Sequence, residues 1–121
     1  MSDRIADIHG RTALVLAADG PPITAGGDVP DIIGRTWGTG AEFVVIPAER
    51  LADDFFTLAS GLAGEVLQKF VNYRLRVVVV GDIARHTAAS SALRAFVGES
   101  NRGRHVWFVD SVDELGARLA G

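Results

Sequence analysis

The chain has 121 residues, 48% hydrophobic and 22% charged, with no cysteine. That suffices for one domain, residues 1–121, with a core of its own, and it excludes a disordered tail, a disulfide framework and a thiol nucleophile. Twelve Lys+Arg against 15 Asp+Glu leave a net charge of −3, without the basic excess of a nucleic-acid binder.

Arg4 to Ile8 and the more apolar Thr12 to Ala17 read as two strands, paired as a hairpin with His9-Gly10-Arg11 at the turn. Asp19-Gly20-Pro21-Pro22 interrupts regular structure. Asp28 reads as a helix N-cap, with Pro30 and Asp31 in the first turn. That helix is expected to run through Ile32, Ile33 and Trp37 and to stop at Gly38 or Gly40. Phe43 to Ile46 reads as a buried strand closed by Pro47. Pro47 to Ser60 reads as a loop held down by Phe55 and Phe56.

Gly61 to Tyr73 carries the clearest helical period. Leu62, Ala63, Val66, Leu67, Phe70 and Tyr73 share an apolar face; Gly61, Glu65, Gln68, Lys69 and Asn72 share a polar one. Arg76 to Val80 has almost no polar alternation, the mark of a central parallel strand. Thr87 is expected to cap a helix holding Leu93, Phe96 and Val97, ending near Asn101-Arg102-Gly103. His105 to Val109 is a further strand, and Ser111-Val112-Asp113-Glu114 is a capping box for a last helix. The order β-β-α-β-α-β-α-β-α predicts an α/β domain: a mostly parallel sheet of about five strands behind an N-terminal hairpin. No apolar run nears the ~20 residues of a membrane helix, and Met1-Ser2-Asp3-Arg4 opens no signal-peptide pattern. A cytoplasmic protein with no membrane contact is expected.

In such a sheet, ligands sit beyond the carboxyl ends of the strands. Those ends carry Glu49, Asp82 and, on the same short loop as Asp82, His86, so an acid and a base can converge there. Helix capping is the plainer role for Asp82. His9, His86 and His105 lack metal-ligand spacing, and no phosphate-binding glycine loop or hydrolase elbow occurs. No catalytic residue, metal or cofactor is assigned. The stripe Glu65, Gln68, Lys69 and Asn72 is expected to hold a solvated Glu65–Lys69 ion pair, or to form a partner face with Ser60, Gly61 and Gly64. Asn101-Arg102-Gly103-Arg104 is a small basic patch or a helix end with its customary cations.

Ser60 to Arg74, Val80-Gly81-Asp82, Glu99-Ser100-Asn101-Arg102-Gly103 and Val106-Trp107-Phe108 together resemble domain-of-unknown-function family 4180, an uncharacterised bacterial family. The element order is also similar to the STAS domain of sulphate transporters and anti-sigma-factor antagonists. That family carries Asp-Ser-Ser-Gly-Leu before a helix, with its second serine phosphorylated. Leu58-Ala59-Ser60-Gly61-Leu62 stands in that place, so the resemblance implies Ser60 as the phosphoacceptor, with Leu58 and Ala59 replacing the Asp and the first Ser. The expected function is a non-catalytic regulatory or interaction module that contacts a protein partner or a second copy, and not nucleic acid, through Ser60, Gly61, Gly64, Glu65, Gln68, Lys69 and Asn72. The alternative is a small-molecule binder or enzyme using Glu49, Asp82 and His86.

Overall fold

The computed structural model describes residues 3–120. Strand β1 (Arg4–Ile8) pairs antiparallel with β2 (Arg11–Val15) through a two-residue turn. His9 and Gly10 both take positive φ, as the tight turns that match strand twist require. The Asp7 carboxylate accepts the Gly10 N–H at 2.8 Å and holds the corner. Three further strands, β3 (Phe43–Pro47), β4 (Arg76–Val80) and β5 (Val106–Val109), add in parallel, in the spatial order β1-β2-β3-β4-β5. The apolar run of β4 lies between β3 and β5, with Val77, Val78 and Val79 buried. A strand covered on both faces has no need of polar alternation.

Helix α1 (Val29–Gly34) links β2 to β3, and α2 (Leu62–Asn72) links β3 to β4. Helices α3 (Ala84–Ala89) and α4 (Ser91–Arg102) link β4 to β5, and α5 (Val112–Ala120) closes the order. Successive crossovers in one direction, all of one hand, must lie on one side of a sheet. Side chains of α1, α2 and α4 accordingly pack with Leu14, Leu16, Val44, Ile46, Val77, Val79 and Phe108. The alternate residues Ala13, Phe43, Val45, Val78, Trp107 and Val109 face the other way and pack with Leu115 and Leu119 of α5. The segment between β3 and α2 consists of short 3-10 turns, and Phe55 and Phe56 bury it against the core.

Five local expectations need correction. Asp28 stands at the N-cap position of α1 but makes no side-chain capping bond there; its carboxylate reaches back to the N–H groups of Thr24 (2.9 Å) and Ala25 (3.1 Å) and closes the preceding 3-10 turn. The helix ends at Gly34, so Trp37 lies beyond it and is 72% exposed. Tyr73 follows the last turn of α2 and is exposed, because the apolar face ends with Phe70. The expected single helix between β4 and β5 is two, and Ser90, not Thr87, caps the longer one by accepting the Leu93 N–H at 3.1 Å. At α5, Ser111 accepts from Glu114 N–H at 3.1 Å. The Glu114 carboxylate accepts from Asp110, one residue earlier than a reciprocal box requires.

Phe70 is fully buried beneath the sheet on the larger side of the core. Phe70→Ala should cost ~3–5 kcal/mol, combining lost transfer energy with an unfilled cavity. A urea melt shows this as a lower midpoint at unchanged slope; a loss below about 1 kcal/mol would mean that the helix packs by another face.

Candidate functional site

Beyond the carboxyl end of β3 the chain turns through Ala48–Arg50, and beyond β4 it enters Gly81-Asp82. These two exits and α3 enclose an open depression of about 510 Å³ lined by Glu49, Asp53, Asp82, Arg85 and His86. The three residues expected at the strand ends are therefore neighbours. Their side chains have local duties as well. The Asp82 carboxylate accepts the Ala84 N–H at 2.8 Å and starts α3. The His86 ring stacks on Phe56, with centroids 4.2 Å apart and planes 12° from parallel. No hydrogen bond among the described residues joins His86 to Asp82 or Glu49. Arg85 pairs with Asp53 at 3.2 Å, but both are well exposed and the pair contributes little. Among the described residues no three His, Asp or Glu side chains converge as a metal cage.

The start of α2 is built differently. Ser60 is exposed; its hydroxyl donates to the Asp54 carbonyl at 2.6 Å and accepts the Leu62 N–H at 3.2 Å. Gly61 takes a left-handed φ of 79°, and open space lies over both Gly61 and Gly64. On the outer face Gln68 donates to Asn72 at 2.8 Å, one turn on. Glu65 and Lys69 form no ion pair, contrary to expectation. Glu65 instead lies against Gly26, where a Cβ would come within 2.1 Å of its carboxylate. A side chain at position 26 would have to displace the Glu65 carboxylate from this place.

A second depression, about 520 Å³, opens beside the end of β2 and contains Asp3, Arg35 and Arg50. Arg50 is only 5% exposed. It donates to the Pro21 carbonyl at 2.7 Å and the Ala17 carbonyl at 2.8 Å, and lies 3.5 Å from the Asp3 carboxylate. Asp3 also accepts the Ala17 N–H at 2.8 Å and pairs with Arg35. A Cβ on Gly20 would come within 2.4 Å of the Arg50 guanidinium. This group is a clamp on the loop after β2.

The family model described as "Domain of unknown function (DUF4180)" matches residues 8–119. The chain belongs to the DUF4180 family. No curated protein and no solved structure matches it. In this DUF4180 chain the role of Arg50 was missed from sequence, although one signal for it exists. Pro21 and Pro22 bring carbonyl acceptors without N–H donors, and a loop of that kind needs a donor-only side chain such as arginine.

His86 titrates below its usual value because it is withdrawn from water; Arg85 adds repulsion, and Asp53 opposes both. The unfolded chain therefore takes up this proton first as the pH falls. Stability contributed by the neutral ring is lost from about pH 6.5 downward, until the folded-state value is passed. An NMR titration of the His86 ring should give a midpoint below about 6.5, and His86→Phe should flatten the stability profile in that window. A midpoint above about 6.5 would contradict the stacked, water-poor environment.

Proposed function

We propose that this chain is a STAS-like, non-catalytic regulatory module of the bacterial cytoplasm that acts through protein contacts. The contact surface is the start and outer face of α2, comprising Ser60, Gly61, Gly64, Gln68, Lys69 and Asn72, with Glu65 at its margin against Gly26. The observation that carries the reading is a contrast in how polar groups are spent. At the strand ends, Asp82 is engaged in capping and His86 in stacking on Phe56. Along α2 the outer face is exposed apart from the half-buried Lys69, and nothing covers Gly61 or Gly64, so another backbone can approach closely. The mostly parallel five-stranded sheet with its antiparallel hairpin supports the STAS-like part of the reading.

A second reading is favoured by one fact: Glu49, Asp82 and His86 line a single depression. It makes the protein a small-molecule binder or an enzyme at the strand ends. In that case His86→Ala abolishes the cellular activity while the fold survives; in the interaction reading it does not.

Ser60 makes the main reading testable. A phosphate there would bring ~−1.5 to −2 charges. Ser60→Ala and Ser60→Asp both remove the hydroxyl that donates to the Asp54 carbonyl, so the added negative charge is what separates the two variants. Baits carrying the wild-type chain, Ser60→Ala and Ser60→Asp should be compared in a pull-down from a native lysate, read by quantitative mass spectrometry. The wild type and Ser60→Ala should retain the same partner, and Ser60→Asp should lose most of it. Equal recovery by all three baits would remove Ser60 from the contact surface.

A further inference from the structure

The sheet face opposite α2 carries a cluster of arginines that neither the hydrophobic period nor the reading above uses. Arg76 opens β4 directly beside Phe43 of β3. Its guanidinium carbon lies 4.5 Å from the Phe43 ring centre and 4.6 Å from that of Trp107. Arg118 of α5 lies 4.1 Å from the Trp107 ring centre and donates to the Asn101 carbonyl at 2.6 Å. Arg76 uses its Nε to reach the Arg104 carbonyl. Arg11, at the start of β2, pairs with Glu42 at 3.1 Å, with both side chains about half exposed.

These groups form a row along the amino-terminal edge of the parallel strands. Arg11, Glu42, Arg76 and Arg104 succeed one another from β2 to β5, and Arg118 reaches in from α5. At the spacing of neighbouring strands the row is about 15 Å long. Four guanidiniums thus face a single carboxylate, in a chain whose net charge is −3. Burial, then Arg11 and Arg104, and lastly Arg118 disfavour the charged form of Arg76; only Glu42 opposes them. Part of the repulsion is built into the fold, because stacking on Phe43 and Trp107 fixes the Arg76 and Arg118 forks in place.

We infer that this arginine row is a docking site for an acidic segment of a partner protein, lying extended across the amino-terminal ends of β2 to β5. Fixed guanidinium forks suit carboxylates, and Glu42 already occupies one of them from within the chain. Side-chain carboxylates supplied from outside would relieve the repulsion among the remaining three. Single-stranded nucleic acid fits less well. Phe43 and Trp107 are buried beneath the arginines and offer no face for base stacking, and the net negative charge opposes a polyanion at long range.

The full chain provides its own reporter. With Trp37→Phe as background, tryptophan emission reports Trp107, which lies under two of the guanidiniums. Titration with oligoglutamate should change that emission saturably, and added salt should weaken the binding. Arg76→Gln with Arg104→Gln should weaken it by about tenfold or more. Arg85→Gln with Arg94→Gln removes the same charge from the helical side and should leave the affinity within about twofold. Exposed Arg104→Gln alone should give a smaller loss in the same direction and keeps the test decisive if the Arg76 variant fails to fold. Absence of saturable binding overturns the proposal, as do equal losses in the two double variants. Tighter binding of a single-stranded oligonucleotide than of oligoglutamate would also overturn it and assign the row to nucleic acid. Because this face lies opposite α2, any of these failures leaves the Ser60 comparison unaffected, and failure there leaves this one standing.

Discussion

The handedness of strand connections organises this molecule. Once β2, β3, β4 and β5 are laid down in sequence order, crossovers of one hand put α1, α2 and α4 on the same side. That side becomes a deep core, with Phe70, Val66 and Leu93 essentially removed from water. The other side receives only the nine-residue α5. It still buries Phe43, Val45, Val78 and Val109, and a short helix is narrow for that task. The arginine stems help to cover it. Arg76 and Arg118 lay their side chains over Phe43 and Trp107 while keeping charge at the rim, as long cationic side chains do on apolar surfaces. The cationic edge is thus a consequence of the topology as well as a surface available to a partner.

At the opposite end of the strands, polar groups are absorbed by the turns. The loop after β2 contains two prolines and presents more acceptors than donors. Arg50, arriving from the far side of β3, supplies donors to Ala17 and Pro21 and brings Asp3 and Arg35 into the same network. A charge buried to this degree persists only when its hydrogen bonds are made, and the close approach is possible because Gly20 has no Cβ. Asp82 and His86 are similarly occupied in starting and seating α3. On the outer surface of α2 the side-chain bonds are local, Ser60 to its own turn and Gln68 to Asn72, and open space lies over Gly61 and Gly64.

Periodic features were legible in the sequence. The valines of β4 announced a two-sided strand, the five buried residues of α2 followed a helical stripe, and the His9-Gly10 corner announced the hairpin. The strand-end rule brings Glu49, Asp82 and His86 together, as the depression they share shows. Non-periodic features were not legible. The α3 segment, Ala-Arg-His-Thr-Ala-Ala, has no apolar stripe, so it merged with its neighbour and Thr87 looked as good a cap as Ser90. Asp28 has the right chemistry for a cap but turns backward to Thr24 and Ala25. Glu65 and Lys69 have ion-pair spacing, yet the Glu65 carboxylate lies over Gly26, a neighbour distant in sequence. Arg50 and the arginine row depend on residues brought together from different strands, which one-dimensional patterns do not encode.

The central claim, that the chain works through the outer face of α2 and not through strand-end chemistry, has a direct test. Lys69 is the single lysine of the sequence and lies on that face. A photocrosslinking amino acid placed at Lys69, and in a separate chain at Asp82, can be irradiated in the native cell. Protein adducts are then resolved by mass and identified. The account predicts a discrete protein adduct from position 69 and none from position 82. Absence of a protein adduct from position 69 would contradict it, and an adduct from position 82 in its place would move the functional surface to the ends of the strands.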